Sequence, residues 1–229
     1  MRQDEAAGSD GWRARFRRPD PVTLTVLIIC TAVEATLQLA DAGLLGTPRL
    51  RFLAYTYGGF WPGLLDNWRP NYAGQPLTMF LTYSVFHGGL VHFAVNMVTL
   101  LSLGAAVSER AGSARYATVY VASVLGGAAV FALLAPGYRP MVGASGALFG
   151  LVGALVAWET LDRRALRLPL RPILRVVAFL VAMNLVLWWA MDGLLAWQTH
   201  LGGFLAGAVA AMLLGQRPLD PDPSPDGLT

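Results

Sequence analysis

Three histidines and one glycine-flanked serine carry most of the chemistry this chain can offer. Residues 143–146 read Gly-Ala-Ser-Gly, and the histidines are His87, His92 and His200. A serine hydroxyl is a poor nucleophile until a base takes its proton, and imidazole is the usual base. Gly143 and Gly146 remove side chains on either side of Ser145, so a substrate backbone can approach closely. His92 and Asn96 are four residues apart, hence on one helical face, and both can donate hydrogen bonds to an oxyanion. His87 stands five residues before His92, off that face, and suits ordering the turn at Gly88-Gly89. Each group also has a plainer reading. A serine in an apolar helix commonly glues helices or bonds back to its own backbone, a histidine can be a packed residue, and His92 with Asn96 can be a polar packing stripe. What separates the readings is whether these side chains meet at one depth, on one side of the elements that carry them.

Those elements are apolar. Of 229 residues, 55% are hydrophobic and only 14% charged, well below the roughly 25% charged residues of soluble domains. The chain therefore reads as an all-α polytopic membrane protein. A bilayer core takes roughly 20 apolar residues as a helix, and six segments qualify, at about 22–40, 86–107, 116–135, 141–158, 172–191 and 196–214. Residues 1–20 and 216–229 are polar or proline-rich and read as disordered tails, leaving a six-helix membrane domain over 21–215. The 41–76 segment, with Tyr55, Tyr57, Trp61, Trp68 and Tyr72, suits a loop lying in the membrane interface. The polar start does not resemble a cleavable signal.

Arginine sets the expected orientation. All 17 basic residues are Arg, a bias suggesting a GC-rich bacterial genome. Thirteen of them (Arg2, Arg13, Arg15, Arg17, Arg18, Arg110, Arg115, Arg163, Arg164, Arg167, Arg171, Arg175 and Arg217) fall on one side of the six-span arrangement, against Arg49, Arg51, Arg69 and Arg139 on the other. The positive-inside rule then predicts that both termini are cytoplasmic. The second, fourth and sixth spans start from outside and bring His92, Asn96, Ser145 and His200 to the outer side. At 1.5 Å rise per residue, Ser145 and His200 would lie roughly 5–10 Å below the surface. Gly146-x3-Gly150 and Gly203-x3-Gly207 give the fourth and sixth spans small-residue faces for close packing.

Other chemistries fit less well. Gly143-Ala-Ser145-Gly146-Ala147 is not the G-x-S-x-G elbow, which also needs a preceding strand. There is no H-E-x-x-H and no facing pair of aspartates for an aspartyl protease. A lone Cys30 excludes a disulfide framework. No metal is expected, since no acidic partner is placed among the three histidines, no cofactor motif occurs, and no nucleic-acid partner is expected because the arginines cluster beside apolar spans rather than on a soluble face. Asp192 is placed to orient His200 or simply to face solvent. Glu34, in the first span, has no assigned role.

The order His87-x4-His92-x3-Asn96, then Gly143-Ala-Ser145-Gly146, then His200-Leu-Gly-Gly, on six spans, resembles the rhomboid intramembrane serine proteases over about 75–215. The resemblance implies a rhomboid-like bundle in a bacterial inner membrane that cuts single-span membrane proteins near the outer surface. It implies that Ser145 is the nucleophile and His200 its base, a dyad without an acid. His92, Asn96 and the backbone around Gly143 and Ser145 would form the oxyanion hole, and Phe149 would stack on the base. Substrates would arrive laterally past the fifth helix, which carries Phe179, Trp188 and Trp189. Where family members often carry Trp-Arg in the first outer loop, this chain has Thr78-Met79, with Trp68-Arg69 about ten residues earlier. Two alternatives stand beside an active protease. One is a catalytically silent rhomboid-like protein that escorts membrane clients; the other, disfavoured by polar groups clustered at one depth, is a small transporter.

Overall fold

The computed structural model describes residues 18–135 and 137–216, so most of the two expected tails lies outside the described residues. Among the described residues eight α-helices run in chain order: α1 (Pro21–Asp41), α2 (Leu50–Gly58), α3 (Gln75–Thr82), α4 (Leu90–Ala111), α5 (Ser113–Leu134), α6 (Ser145–Ala165), α7 (Arg171–Ala190) and α8 (Trp197–Leu214). Single 3-10 turns occupy Pro62–Leu65 and Tyr83–Val85. Local chemistry sets the boundaries. The Asp20 carboxylate accepts from the Val22 N–H at 2.9 Å and caps α1, with Pro21 in the first turn. The second segment was expected over 86–107, but α4 starts only at Leu90 because Gly89 takes φ +105, a conformation open chiefly to glycine. Gly112, at φ +79, alone separates α4 from α5.

Five of these helices, α1, α4, α5, α7 and α8, are long and apolar enough to cross a membrane. The fourth expected span, 141–158, corresponds to α6, which starts four residues later and runs to Ala165. Its length suffices, but glycines dilute its hydropathy and its last turns carry Glu159, Asp162, Arg163 and Arg164. It is nevertheless the central helix. Gly146, Ala147, Leu148, Gly150, Leu151, Gly153, Ala154, Ala157 and Trp158 are all buried along it, and α4, α5 and α8 pack around it. A helix ringed by other helices need not be as apolar as one facing lipid. By contrast α7 buries none of its residues and stands at the edge.

The α6–α8 contact is a backbone contact. A Cβ built on Gly203 would collide with the Gly146 carbonyl oxygen, and one on Gly207 with that of Gly150. The two small-residue faces thus meet each other in register. Trp158 Nε1 then donates to the Ala211 carbonyl at 3.0 Å. Beyond it, Arg110 at the end of α4 pairs with Asp162 of α6 and donates to Gln216 Oε1 at 2.9 Å. This ties the arginine-rich ends together.

The 41–76 segment, expected as a loop in the interface, contains α2 and the turn at Pro62–Leu65 and is tied to α1. Glu34 explains how. Its carboxylate receives Arg51 Nη2 at 3.0 Å and Nη1 at 3.2 Å, and also the Gln38 amide at 2.7 Å. Arg51 Nε donates to Asp41 at 2.6 Å, while Nη1 reaches the His87 carbonyl at 3.0 Å. Burial opposes the Arg51 charge, but hydrogen bonds with Glu34, Tyr55 and Asp41 outweigh it and raise its pKa. One guanidinium thereby joins α1, α2 and the turn leading into α4. Trp61 Nε1 donates to the Tyr55 carbonyl at 2.8 Å, and Gln75 Nε2 to that of Thr56 at 2.7 Å. Trp68 lies 5.9 Å from Trp61, ring centre to ring centre. At the positions of the usual Trp-Arg, Thr78 instead hydrogen-bonds Tyr72 at 2.6 Å and Met79 is fully buried.

Candidate active site

The chain is steered into α6 by contacts on both sides of it. Met141 and Phe60 exchange backbone hydrogen bonds at 2.9 and 3.0 Å, an isolated antiparallel bridge between the outer segment and the approach to α6. Gly143 then turns at φ +133, and its N–H donates to the Tyr83 carbonyl at 3.0 Å. Tyr83 is itself fixed, for its buried hydroxyl donates to the Val124 carbonyl at 2.8 Å. The result puts Ser145 in the first helical position of α6. The N–H groups of that turn have no intrahelical acceptor and project a partial positive charge toward the serine.

His200 sits in the first turn of α8, buried, with Nε2 2.9 Å from Ser145 Oγ. Phe149, one turn along α6 from Ser145, lies parallel to the imidazole at 4.1 Å between ring centres and 8° between planes. The stack limits ring rotation. Because Gly146 and Gly203 bring the helix backbones into contact beside them, the two side chains bridge without extending far.

His92 approaches from α4. The Gly88 N–H donates to its Nδ1 at 3.1 Å, so a neutral His92 carries its proton on Nε2 and can donate from there. A point one Cβ bond above Gly143 lies 3.1 Å from His92 Nε2 and 3.8 Å from Ser145 Oγ. His92 and Ser145 therefore flank the same small space, which glycine leaves open. Asn96 is less directly placed. Its Nδ2 donates to the His92 carbonyl at 2.8 Å, and its buried Oδ1 has no hydrogen-bond partner among the described residues. The His87 ring stands edge-on to His92 at 5.3 Å and to Phe93 at 5.6 Å, and its carbonyl accepts from both Arg51 and Tyr55.

The N–H of Gly143, which the resemblance placed with Ser145 in the backbone of an oxyanion hole, donates to the Tyr83 carbonyl at 3.0 Å. What Gly143 supplies is space and a turn. The Ser145 N–H, at the mouth of α6, is among the backbone donors without an intrahelical acceptor.

A model of the Rhomboid domain matches residues 74–217. The chain belongs to the rhomboid family. It is 35% identical over 140 residues to RHOMBOID-like protein 5 of Arabidopsis thaliana, covering 58% of this chain and 42% of that protein. It is 34% identical over 135 residues to Rhomboid protease GluP of Bacillus subtilis strain 168, covering 59% of this chain and 25% of the relative. It is also 30% identical over 140 residues to Inactive rhomboid protein 1 of Drosophila melanogaster, covering 58% and 9%. The chain thus spans less than half the length of these curated relatives. As a rhomboid with long apolar helices it is a multi-pass integral membrane protein. The matched region begins at Gly74, so α1, α2 and the Glu34–Arg51 pair lie outside it.

Sequence reasoning about this rhomboid missed Asn184. It lies on α7 with Oδ1 2.6 Å from His200 Nδ1. The available signal was a polar residue in an otherwise apolar helix, which is a functional candidate by default. Asp192, read as either a partner for His200 or an exposed loop residue, is exposed in the α7–α8 turn at φ +50. A groove of about 550 Å³ runs between α7 and α8, with Asn184 and His200 as its polar edge and Phe149, Val181, Trp188 and Leu205 among its apolar walls. The aromatics expected on the fifth span, Phe179, Trp188 and Trp189, are all exposed, at 66%, 44% and 78%.

Proposed function

We propose that this rhomboid is an intramembrane serine endopeptidase cleaving single-span membrane proteins near the outer surface of a bacterial inner membrane, with both termini cytoplasmic. The observation that carries the reading is the 2.9 Å contact between Ser145 Oγ and His200 Nε2. In the reaction, Ser145 Oγ attacks the scissile carbonyl carbon while His200 Nε2 takes the hydroxyl proton. His92 Nε2–H and the Ser145 N–H face the developing oxyanion, and Asn96 shapes that pocket by holding the first turns of α4. The imidazolium next gives its proton to the leaving amine, which departs with one half of the substrate. Water, deprotonated by His200, then cleaves the Ser145 ester and restores the free enzyme.

The thirteen arginines on one face support the outward orientation. The name of the Drosophila relative raises the silent, client-binding alternative, and the contact between Ser145 and His200 favours the hydrolase. The deciding comparison sets wild type against Ser145→Ala and His200→Ala on a panel of single-span reporter substrates, together with labelling by a serine-directed fluorophosphonate. Both variants are expected to lose cleavage and labelling. Equal labelling and cleavage in all three proteins would sink the reading.

A further inference from the structure

A neutral imidazole carries its proton on one nitrogen only. For His200 Nε2 to accept from Ser145, the proton must sit on Nδ1, and something must hold it there. Asn184 meets that need. Its Nδ2 donates to the Leu180 carbonyl one turn back at 2.9 Å, which turns Oδ1 toward α8. That oxygen, which can only accept, lies 2.6 Å from His200 Nδ1. The polarity of the chain of bonds is therefore set from α7 through to the serine: Leu180 carbonyl, Asn184 amide, His200 imidazole, Ser145 hydroxyl.

We propose that Asn184 is a positioning residue that fixes His200 in the Nδ1–H tautomer, so that the Ser145–His200 pair is oriented from α7. The inference rests on the protease reading for its catalytic consequence, although the tautomer itself does not. A plainer account makes Asn184 an interhelical glue residue. Two observations speak against that account. The amide is spent on the one ring nitrogen whose protonation decides whether Nε2 can act as a base. Moreover α7 buries none of its residues, so the bond does not belong to an extensively packed interface. The surrounding groove is walled by Phe149, Val181, Trp188 and Leu205, and in such an apolar setting one oriented hydrogen bond is strengthened. A base oriented from α7 is oriented only while α7 keeps Asn184 within reach of His200 along the groove.

The test uses the full-length protein in lipid nanodiscs, labelled with nitrogen-15 histidine. The chain holds only three histidines, so His200→Ala assigns the resonances of interest. His92 serves as internal reference, because the Gly88 N–H keeps its Nδ1 bare. Wild type should show His200 protonated on Nδ1. In Asn184→Leu, which keeps side-chain volume but removes the acceptor, the proton should move wholly or partly to Nε2 while His92 is unchanged. The kcat for a reporter substrate should fall roughly 10–10²-fold with KM little altered, less than the ~10⁴ seen when a charged triad carboxylate is replaced. Asn184→Asp, which retains an acceptor at the same place, should restore both the tautomer and most of kcat. Should Leu disturb the fold, moving the His92 signals, Asn184→Val gives the same reading with less bulk. A His200 resonance unchanged in a folded Leu or Val variant overturns the proposal, as does failure of Asp to restore the Nδ1–H form. Since the tautomer is read without substrate, its result stands apart from that of Ser145→Ala, which tests the protease reading alone.

Discussion

The contact between α6 and α8 makes Gly203→Ala a sharp perturbation. The added methyl would point at the Gly146 carbonyl oxygen, which is backbone and cannot swing aside. For that pair to reach an ordinary carbon–oxygen contact of roughly 3.3 Å, the helices must part by on the order of 1 Å at this level. Gly146 is the residue after Ser145, and Gly203 lies three residues past His200, so the separation acts directly on the 2.9 Å Ser145–His200 bond. Stretched to almost 4 Å, it no longer passes a proton efficiently, and a misplacement of this size costs about 10²-fold in rate. Overpacking should also cost about 1–3 kcal/mol of stability. The assay pairs reporter cleavage in nanodiscs with thermal unfolding in detergent. Gly207→Ala collides with Gly150 one turn further along, so it should lose comparable stability and retain more activity. Val209→Ala, at a half-exposed position of the same helix, is the control. If Gly203→Ala cleaves as wild type does, the close backbone approach does not set the site, and the reasoning fails.

Two further outcomes follow from the outer segment and from the orientation. Arg51→Met strands the Glu34 carboxylate, whose side chain is only 2% exposed, and should cost about 3 kcal/mol, the lower end for a broken buried pair because Arg51 is partly solvated. Pairing it with Glu34→Leu should recover much of the loss, measured as a double-mutant cycle of unfolding free energies. Tyr138→Cys, at a residue 64% exposed in the turn before α6, should react with an impermeant thiol reagent added outside intact cells. The native Cys30 is fully buried and should stay silent; protection of the new thiol would reverse the assigned orientation.

The apolar segments, their glycine breaks and the few polar side chains near their ends were legible because each is a local pattern. Ser145, His200 and His92, carried by three helices, lie around one small space, and Phe149, named only through the family resemblance, stacks on His200. Helix boundaries slipped by about four residues at α4 and α6, where Gly89 and the turn at Gly143 delay the first helical residue beyond the first apolar one. The internal structure of the outer segment was not legible because the groups that hold it, Glu34, Arg51, Gln75 and the His87 carbonyl, are scattered over more than fifty positions.

By itself the sequence determined an all-helical membrane chain, the small-residue faces that let two helices touch, and the few side chains, a serine and histidines, whose chemistry suits a nucleophile and a base. Hydropathy, glycine spacing and residue chemistry are properties of a segment and need no neighbour. Tertiary structure alone decided which hydrogen-bonding groups were spent and which were left free. It committed the Gly143 N–H to Tyr83, gave Glu34 its arginine, and turned Asn184 toward His200. Those pairings depend on the rotation and relative depth of separate helices. A shift of one residue, 1.5 Å and 100° around the axis, would break any of them while leaving the pattern of every segment unchanged.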